Sequence, residues 1–380
     1  MKRVSCLAVV LVLLGLMLPM KVRGALDVPG KSALLMDVAT GTVLFEQNAH
    51  EPLPPASVTK VMTMLLIMEA IDDGRIRWED TVTASETAAA KGGSQIFLKA
   101  GETMTVSDMV KSIAVSSAND CACAMAEHLY GSEEAFVEKM NARAAELGMN
   151  DTHFVNCTGL DDEADAAQHR TSAYDIAVMS RELLKNHRKI TEFTTIWMDT
   201  VRDGTFGLSN TNKLVRFYSG ATGLKTGFTQ GAGYCLSASA QRDGMELVAV
   251  VMGCETSQER FAACKSMLDY GFAGFCVVTP QMEEEGVVPV KLGTADVVRA
   301  VPAEEKSILL EKSQKNLVTT QIELDPEVTA PVSKGQRLGT LTVQAGQQTL
   351  AQIPLVAETA VEKRTWGQMF MRVLRSVCFG

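Results

Sequence analysis

The sequence lacks an excess of basic residues and has little that resembles a membrane span. Lys and Arg total 36 against 45 Asp and Glu, so the formal net charge of the 380-residue chain is -9. This charge argues against nucleic acid as the main partner. The one long apolar run, residues 6–20, is interrupted by Pro19 and is too short for a membrane-spanning helix, which needs about 20 apolar residues.

The N-terminus has the pattern of a secretory signal instead. Lys2 and Arg3 precede the apolar run, and the small residues Gly24 and Ala25 follow it as a cleavage point. Cys6 lies too early for lipoprotein cleavage. We therefore predict a signal peptide over 1–24 and an exported enzyme or binding protein at the outer face of the cytoplasmic membrane or in the cell wall.

The cysteines do not form a recognisable disulfide framework, although the chain has nine of them and exported proteins often use disulfides. Five lie inside apolar helix or strand patterns, where free cysteine behaves as a small buried hydrophobe: Cys121, Cys123, Cys235, Cys254 and Cys264. Cys121, Cys123 and His128 make a poor metal site, because positions two apart on a helix face different ways. We predict no metal and no other cofactor.

Two domains and a tail follow the signal. Residues 25–276 begin with two strands within 32–47, continue with several amphipathic helices, and end with three strands and a helix. Helices on an antiparallel sheet built from both ends of a domain indicate an α+β fold. Residues 277–362 contain short alternating strands separated by Gly and Pro turns, which predicts a small all-β domain. No internal repeat is evident.

The tail, residues 363–380, predicts a short amphipathic helix. Its apolar stripe consists of Trp366, Met369, Phe370, Val373, Leu374 and Val377, and its basic residues lie off that stripe. Such a helix lies in a membrane interface rather than spanning it. The alternative is that the stripe docks onto the β-domain.

The stretch PPASVTKVMTMLL, residues 54–66, predicts a helix that is apolar nearly all round and therefore buried. Ser57 and Lys60 are three residues apart at its start and share one face. The ordinary alternative is that Lys60 extends its charged end to water.

Two further motifs complete a set with this S-x-x-K. Ser117-Ala118-Asn119 lies in a break between two helices, and Lys225-Thr226-Gly227 lies on a strand. Each motif alone is common, and Ser117 or Asn119 can simply cap the following helix. All three in this order are the mark of penicillin-binding proteins and class A β-lactamases.

The residue types suit nucleophilic catalysis. Ser57 needs a base to become a nucleophile, and Lys60 serves as that base if burial and a second cation, such as Lys225, lower its pKa. Ser117 can relay a proton to the leaving amine. Asn119 can hold a peptide carbonyl or orient Lys60.

The strand motif suits substrate binding. Lys225 and Thr226 can bind a carboxylate, and Gly227 lacks a side chain, so a substrate can lie along the strand edge. The start of the helix at Ser57 offers backbone N–H groups for an oxyanion.

The chain resembles the serine-type D-Ala-D-Ala carboxypeptidases, which are low-molecular-mass penicillin-binding proteins. Beyond the motifs, blocks such as GGSQIFLKAGE, VSSANDCACAMAEHLYGS and LKTGFTQGAGYCLSASA carry the resemblance. It implies a five-stranded antiparallel sheet between helix layers, acylation of Ser57, and oxyanion donors on the backbone N–H groups of Ser57 and Phe228. The implied substrate is the peptidoglycan stem peptide ending in D-Ala-D-Ala, with β-lactam antibiotics as inhibitors. Residues 157–162 and Asn212-Lys213 border the implied site without an assigned role.

Three other functions use the same motifs. A class A β-lactamase needs an additional carboxylate, and no E-x-x-L-N lies between Ser117 and Lys225. A non-catalytic penicillin-recognising sensor usually follows transmembrane helices, which this sequence lacks. D,D-endopeptidase and transpeptidase activities use the same residues, and the sequence does not separate them.

Overall fold

The computed structural model describes residues 26–161, 166–282 and 286–379. The predicted signal peptide lies outside these residues. The strands of the N-terminal domain are β1 (Ser32–Asp37), β2 (Val43–Gln47), β3 (Thr81–Thr83), β4 (Thr103–Thr105), β5 (Met198–Val201), β6 (Phe206–Ser209), β7 (Ala221–Thr229), β8 (Gly233–Arg242) and β9 (Met245–Cys254). Its helices are α1 (Lys60–Asp72), α2 (Glu86–Ala89), α3 (Val106–Ser116), α4 (Asn119–Tyr130), α5 (Glu133–Glu146), α6 (Ala173–Asn186), α7 (Thr191–Thr194), α8 (Leu214–Phe217) and α9 (Ser257–Gly274).

A five-stranded antiparallel sheet in the order β2-β1-β9-β8-β7 forms the centre of this domain. Helices cover both of its faces, so β1 is buried along its whole length. Leu34 and Met36 pack into the core that contains α1, whereas Ala33 and Leu35 pack into the core beside α9. This alternation follows from the two-residue period of a strand. The predicted α+β class and antiparallel sheet are confirmed.

Helix α1 explains the apolar run that followed Lys60. From Lys60 to Met68 all nine of its residues are buried, because α1 packs against α4, α5 and α6 as well as α3. A helix surrounded on all sides needs no polar face. It ends before Gly74, whose φ of +73° is easy for glycine.

The sequence did not reveal the short antiparallel strand pairs β3–β4 and β5–β6. Strands of three or four residues are too short to display a two-residue period. Both strand pairs lie at the surface of the helical layer, where β3 and β6 contact α3.

The C-terminal domain is all β, as expected. Its strands are β10 (Phe275–Val278), β11 (Gly286–Lys291), β12 (Val297–Pro302), β13 (Ile308–Glu311), β14 (Val318–Leu324), β15 (Val328–Thr329), β16 (Arg337–Ala345) and β17 (Gln348–Ala357). Six of them form a sheet in the order β14-β16-β17-β12-β11-β15. Strand β10 continues directly from α9 and pairs with β13, which joins the two domains through continuous secondary structure.

The cysteines are free in the described parts of the chain. The five that were predicted to be buried hydrophobes are all buried, and burial raises the pKa of each thiol. These thiols therefore stay protonated at neutral pH.

The chain ends in a short helix, α10 (Trp366–Phe379). Its apolar residues Trp366, Val373 and Val377 are 86%, 60% and 79% exposed, so the stripe does not dock onto the β-domain. Arg364 and Arg372 both pair with Asp296 in the turn between β11 and β12. Within the described ranges, no helix is long and apolar enough to span a bilayer.

Candidate active site

Ser57 lies in a 3-10 turn, Ala56–Thr59, that leads into α1. The sequence analysis placed it in the α-helix itself, but the helix begins at Lys60. In a 3-10 turn, residues three apart lie directly above one another, and Lys60 Nζ is 3.0 Å from Ser57 Oγ. The preceding Ala56 has a φ of +48°, a strained conformation for a residue with a side chain.

Lys60 is 0% exposed, so the alternative in which it extends to water is wrong. Its Nζ also donates a hydrogen bond to Thr158 O at 2.7 Å. Burial lowers the pKa of Lys60 to about 7, against the opposing charges of Asp120 and Glu133. At neutral pH a large fraction of Lys60 is therefore an uncharged amine, which can accept a proton.

The second partner of Lys60, Thr158 O, belongs to the 156–160 loop, to which the sequence analysis assigned no role. Asn156 Oδ1 accepts hydrogen bonds from the backbone N–H groups of Thr158 (3.2 Å) and Gly159 (2.7 Å). Gly159 has a φ of +82°, and a Cβ there would lie 1.9 Å from Ala56 O. The loop thus contacts the Ser57 turn so closely that only glycine fits.

His169 holds the Ser57 turn from the other side. Its Nδ1 accepts a hydrogen bond from Val155 N at 3.1 Å, so the proton belongs on Nε2, 2.7 Å from Thr59 Oγ1. Thr59 Oγ1 in turn donates to Ala56 O at 2.8 Å. Burial lowers the pKa of His169 to about 4, which keeps the ring neutral. Sequence reasoning missed this residue because it belongs to no motif.

Ser117 and Asn119 lie at the break between α3 and α4. Ser117 has a φ of +64° and ends α3, and Ala118 is the N-cap of α4 without a side-chain bond. The alternative in which the side chain of Ser117 or Asn119 caps the start of α4 is therefore wrong. Asn119 Nδ2 donates to Gly92 O at 2.7 Å. Ser117 Oγ and Asn119 Oδ1 are buried without a hydrogen-bond partner in the described residues, which is unusual and leaves both available to a ligand.

Lys225 and Thr226 lie on β7 and are buried. Lys225 Nζ donates to Thr226 O at 2.9 Å, and Thr226 Oγ1 donates to Thr211 Oγ1 at 2.7 Å. Burial, with smaller contributions from the charges of Lys60 and Arg260, holds the pKa of Lys225 well below its usual range. The lowered pKa of Lys60 comes from burial, and a role of Lys225 as the second cation that lowers it stays a prediction.

Gly227 brings β7 against the Ser57 turn. A Cβ at this position would lie 2.6 Å from Pro55 O and 3.1 Å from Val58 N. The glycine therefore permits close approach of strand and turn, a reason that the sequence alone did not reveal. Its carbonyl accepts a hydrogen bond from Arg260 Nη1 at 2.9 Å, so a buried arginine of α9 steadies the strand.

Phe228 follows on the same strand, with its side chain 51% exposed and stacked on Tyr234 at a centroid distance of 4.3 Å. Strand β7 is the last in the sheet, and an edge strand presents unpaired backbone groups to an extended peptide. Asn212 borders this edge and donates from Nδ2 to Gly223 O at 2.9 Å.

A separate group of side chains has ligand atoms close enough for a metal ion. Atoms of Glu69, Glu182 and His187 lie within 4.8 Å of one another. Arg143 bonds Glu69 at 2.7 Å and Glu182 at 2.9 Å, and His187 bonds Asp72 at 2.5 Å. The group is satisfied by protein partners, and no metal is needed to explain it.

Comparison with known proteins identifies a family for each of the two domains. Residues 20–256 match the D-alanyl-D-alanine carboxypeptidase family, peptidase family S11, and residues 280–363 match the C-terminal domain of penicillin-binding protein 5. The D-alanyl-D-alanine carboxypeptidase DacF of Bacillus subtilis is 46% identical over 88% of this chain and 86% of its own. DacC of Escherichia coli is 34% identical over 91% of this chain and 89% of its own.

Solved structures agree. Penicillin-binding protein 5 of Haemophilus influenzae superposes with a TM-score of 0.74 at 29% identity, over 89% of this chain and 98% of its own. Penicillin-binding protein D2 of Listeria monocytogenes, in its ampicillin-bound form, has a TM-score of 0.57 at 31% identity and covers 65% of this chain and 99% of its own. Through both of its domains, the chain belongs to the D-alanyl-D-alanine carboxypeptidase family of serine peptidases.

Proposed function

We propose that the chain carries out its family's reaction, removal of the terminal D-Ala from peptidoglycan stem peptides, through an acyl-enzyme on Ser57. The observation that carries this proposal is the contact of 3.0 Å between Ser57 Oγ and Lys60 Nζ. A buried lysine with a pKa of about 7 is a base of suitable strength for a reaction at neutral pH.

Acylation needs two proton transfers, one from Ser57 to Lys60 and one from Lys60 to the leaving amine. Neutral Lys60 takes the proton of Ser57 as Oγ attacks the carbonyl of the penultimate D-Ala. The resulting oxyanion is stabilised by the backbone N–H groups of Ser57 and Phe228. The C–N bond then breaks, and the leaving amine receives a proton from Lys60 by way of Ser117. Water attacks the ester in the second half of the cycle, releases the shortened peptide and restores Ser57.

Lys225, Thr226 and Asn119 bind the substrate. The terminal carboxylate pairs with Lys225 and Thr226 at the edge of β7, while the unpaired Asn119 Oδ1 accepts a hydrogen bond from a peptide N–H. An incoming carboxylate favours the charged form of Lys225, whose pKa burial holds low in its absence. Binding of the carboxylate therefore raises the pKa of Lys225.

Penicillins acylate the same serine, because their β-lactam carbonyl and carboxylate present the groups that Ser57 and Lys225 recognise. The Listeria relative of this fold has been obtained in an ampicillin-bound form. Endopeptidase and transpeptidase reactions would use the same acyl-enzyme with a different leaving amine or acceptor. Product analysis separates them.

The enzyme acts outside the cytoplasmic membrane, attached to its surface by α10. The N-terminal secretory pattern supports export. Exposed Trp366, Val373 and Val377 together with basic Arg372 support contact with the membrane interface, where an apolar face is buried and basic residues meet anionic lipids.

The test is to incubate the mature protein with a stem pentapeptide and to assay free D-Ala, and in parallel to label it with a penicillin. Ser57→Ala should remain folded and lose both activities. Ser219→Ala, a substitution of an exposed serine, should retain both. Undiminished labelling of Ser57→Ala would exclude Ser57 as the nucleophile.

A further inference from the structure

A mostly covered carboxylate that the proposed mechanism does not use, Glu133, lies close enough to Lys60 to act on its charge. Glu133, at the start of α5, has a side chain 12% exposed, and its Oε2 is 2.6 Å from Nζ of Lys91, which is 14% exposed. An ion pair that is mostly covered by protein is screened less than a pair at the surface. Breaking it by removing one partner leaves an uncompensated charge in the interior.

Glu133 holds the loop that contacts Lys60. Its Oε1 accepts a hydrogen bond from the backbone N–H of Cys157 at 3.0 Å. The carbonyl of Cys157 then accepts from Thr63 at 2.6 Å, and the next carbonyl, Thr158 O, accepts from Lys60 at 2.7 Å. One carboxylate thus holds the 156–157 peptide group, two peptide groups before the one whose oxygen accepts from Lys60.

Lys91 holds a second loop that contacts Asn119. The residue after it, Gly92, accepts the Asn119 side-chain amide at 2.7 Å, and Ser94 O accepts the Asn119 backbone N–H at 2.7 Å. A Cβ on Gly93 would lie 2.7 Å from Asn119 Nδ2, so this loop has little freedom beside Asn119.

We propose that the Lys91–Glu133 ion pair is a positioning element of the site. It holds the 91–94 and 156–160 loops together and so fixes the positions of Lys60 and Asn119 relative to each other. This inference rests on the proposed roles of Lys60 and Asn119. Neither Lys91 nor Glu133 touches the substrate.

The pair also sets the electrostatic balance at Lys60. The carboxylates of Glu133 and Asp120 favour the charged form of Lys60. Cys157 and His169 also face Lys60. Both are neutral at pH 7, because burial raises the pKa of the Cys157 thiol and lowers the pKa of the His169 ring. Lys225 on β7 also faces Lys60, whose charge contributes to the lowered pKa of Lys225. Lys91 partly neutralises Glu133, so changes at the two positions should move the pKa of Lys60 in opposite directions.

The test compares Glu133→Gln, Lys91→Gln and the double variant in the full-length protein. The acid limb of the pH profile for penicillin acylation should move down by about half a pH unit or more in Glu133→Gln and up in Lys91→Gln. In the double variant it should return toward the wild-type position, while the plateau rate stays at least about 10-fold below wild type because the clamp is lost. Glu134→Gln removes the same charge from the next residue, which is exposed, and should change neither the acid limb nor the plateau rate.

Direct titration of Lys60 by NMR of lysines labelled with ¹³C at Cε, assigned with Lys60→Arg, distinguishes the outcomes. Opposite shifts of the Lys60 resonance without matching shifts of the acid limb would support the ion pair and reject Lys60 as the base. An unmoved Lys60 pKa in both single variants, or an unchanged plateau in a folded double variant, would overturn the proposed clamp. Circular dichroism and thermal unfolding establish that each variant is folded, and a variant that does not fold is replaced by the double variant, whose charges balance.

Discussion

At the scale of single residues, Lys60 is costly to the fold. Burial moves its pKa from 10.5 to about 7, and each pKa unit corresponds to 1.36 kcal/mol. Because the unfolded chain binds the proton more tightly, the penalty is complete below pH 7 and fades as the pH rises toward 10.5. At pH 7 it is on the order of 4 kcal/mol.

Lys60→Met should therefore stabilise the protein while abolishing acylation. The gain of ~4 kcal/mol is offset by ~1–3 kcal/mol for leaving the carbonyl of Thr158 without its donor. A net increase of ~2 kcal/mol in the free energy of unfolding at pH 7 is expected, measured by denaturant titration, and it should shrink toward pH 10. A less stable Lys60→Met protein would contradict the burial cost.

The two lysines of the site should respond differently to arginine. Arginine stays charged in proteins and cannot act as a base. Lys60→Arg should lose about 100- to 10,000-fold in acylation rate, together with the acid limb near pH 7. Lys225→Arg keeps the charge that pairs with the substrate carboxylate, so it should mainly raise KM and retain measurable D-Ala release.

Acylation and D-Ala release measured from pH 5 to pH 9 test this difference, after circular dichroism confirms folding. In the wild-type enzyme the acylation rate should fall about 10-fold per pH unit below 7, because only the neutral amine of Lys60 accepts a proton. If Lys60→Arg acylates nearly as fast as the wild type, the proton leaves Ser57 by another route, such as Ser117.

At the scale of structural elements, three segments converge on Ser57: its own 3-10 turn, the 156–160 loop and strand β7. Both neighbours approach through a glycine, Gly159 for the loop and Gly227 for the strand. A backbone held from two sides by other backbone has little freedom to move, which suits a nucleophile that must stay aligned with its base.

Gly227→Ala should separate β7 from the Ser57 turn. The added Cβ would lie 2.6 Å from Pro55 O, so strand and turn must shift apart by several tenths of an ångström. We expect a loss of about 10- to 100-fold in acylation rate with the fold intact. Gly207→Ala on β6, where a Cβ would meet nothing within 4 Å, is the matched control. Equal acylation by the two variants would show that this approach does not position Ser57.

At the scale of the whole molecule, the sheet unites distant parts of the chain. Strands β1 and β2 precede the Ser57 turn, whereas β7, β8 and β9 come after the helical layer. Only their pairing places Lys225 beside Lys60. The β-domain and α10 then extend the molecule. Asp296 links this domain to Arg364, just before the terminal helix, and to Arg372 in the middle of that helix.

Removal of residues 366–380 should release the protein from membranes without loss of D-Ala hydrolysis. The truncation deletes α10 but keeps Arg364, whose 2.9 Å pair with Asp296 belongs to the β-domain. Sedimentation with vesicles that contain anionic lipid measures the attachment. Continued sedimentation of the truncated protein would place the anchor elsewhere.

Much of the molecule follows from local pattern. The S-x-x-K spacing, the alternating strands and the break at Ser117 depend on residues a few positions apart. Such features are set by backbone periods and local hydrogen bonds. They were sufficient to predict the α+β fold and the segments that carry the site.

Only the tertiary structure decided how the site works in detail. The pKa of Lys60 depends on complete burial among α1, the 156–160 loop and β7. Three contacts join residues that lie far apart in the sequence. They are the hydrogen bond of His169 to the Ser57 turn, the close approach of Gly227 to that turn, and the Lys91–Glu133 ion pair. Contacts of this kind leave no periodic trace in the sequence, because their energy arises only when the folded chain excludes water and brings the partners together.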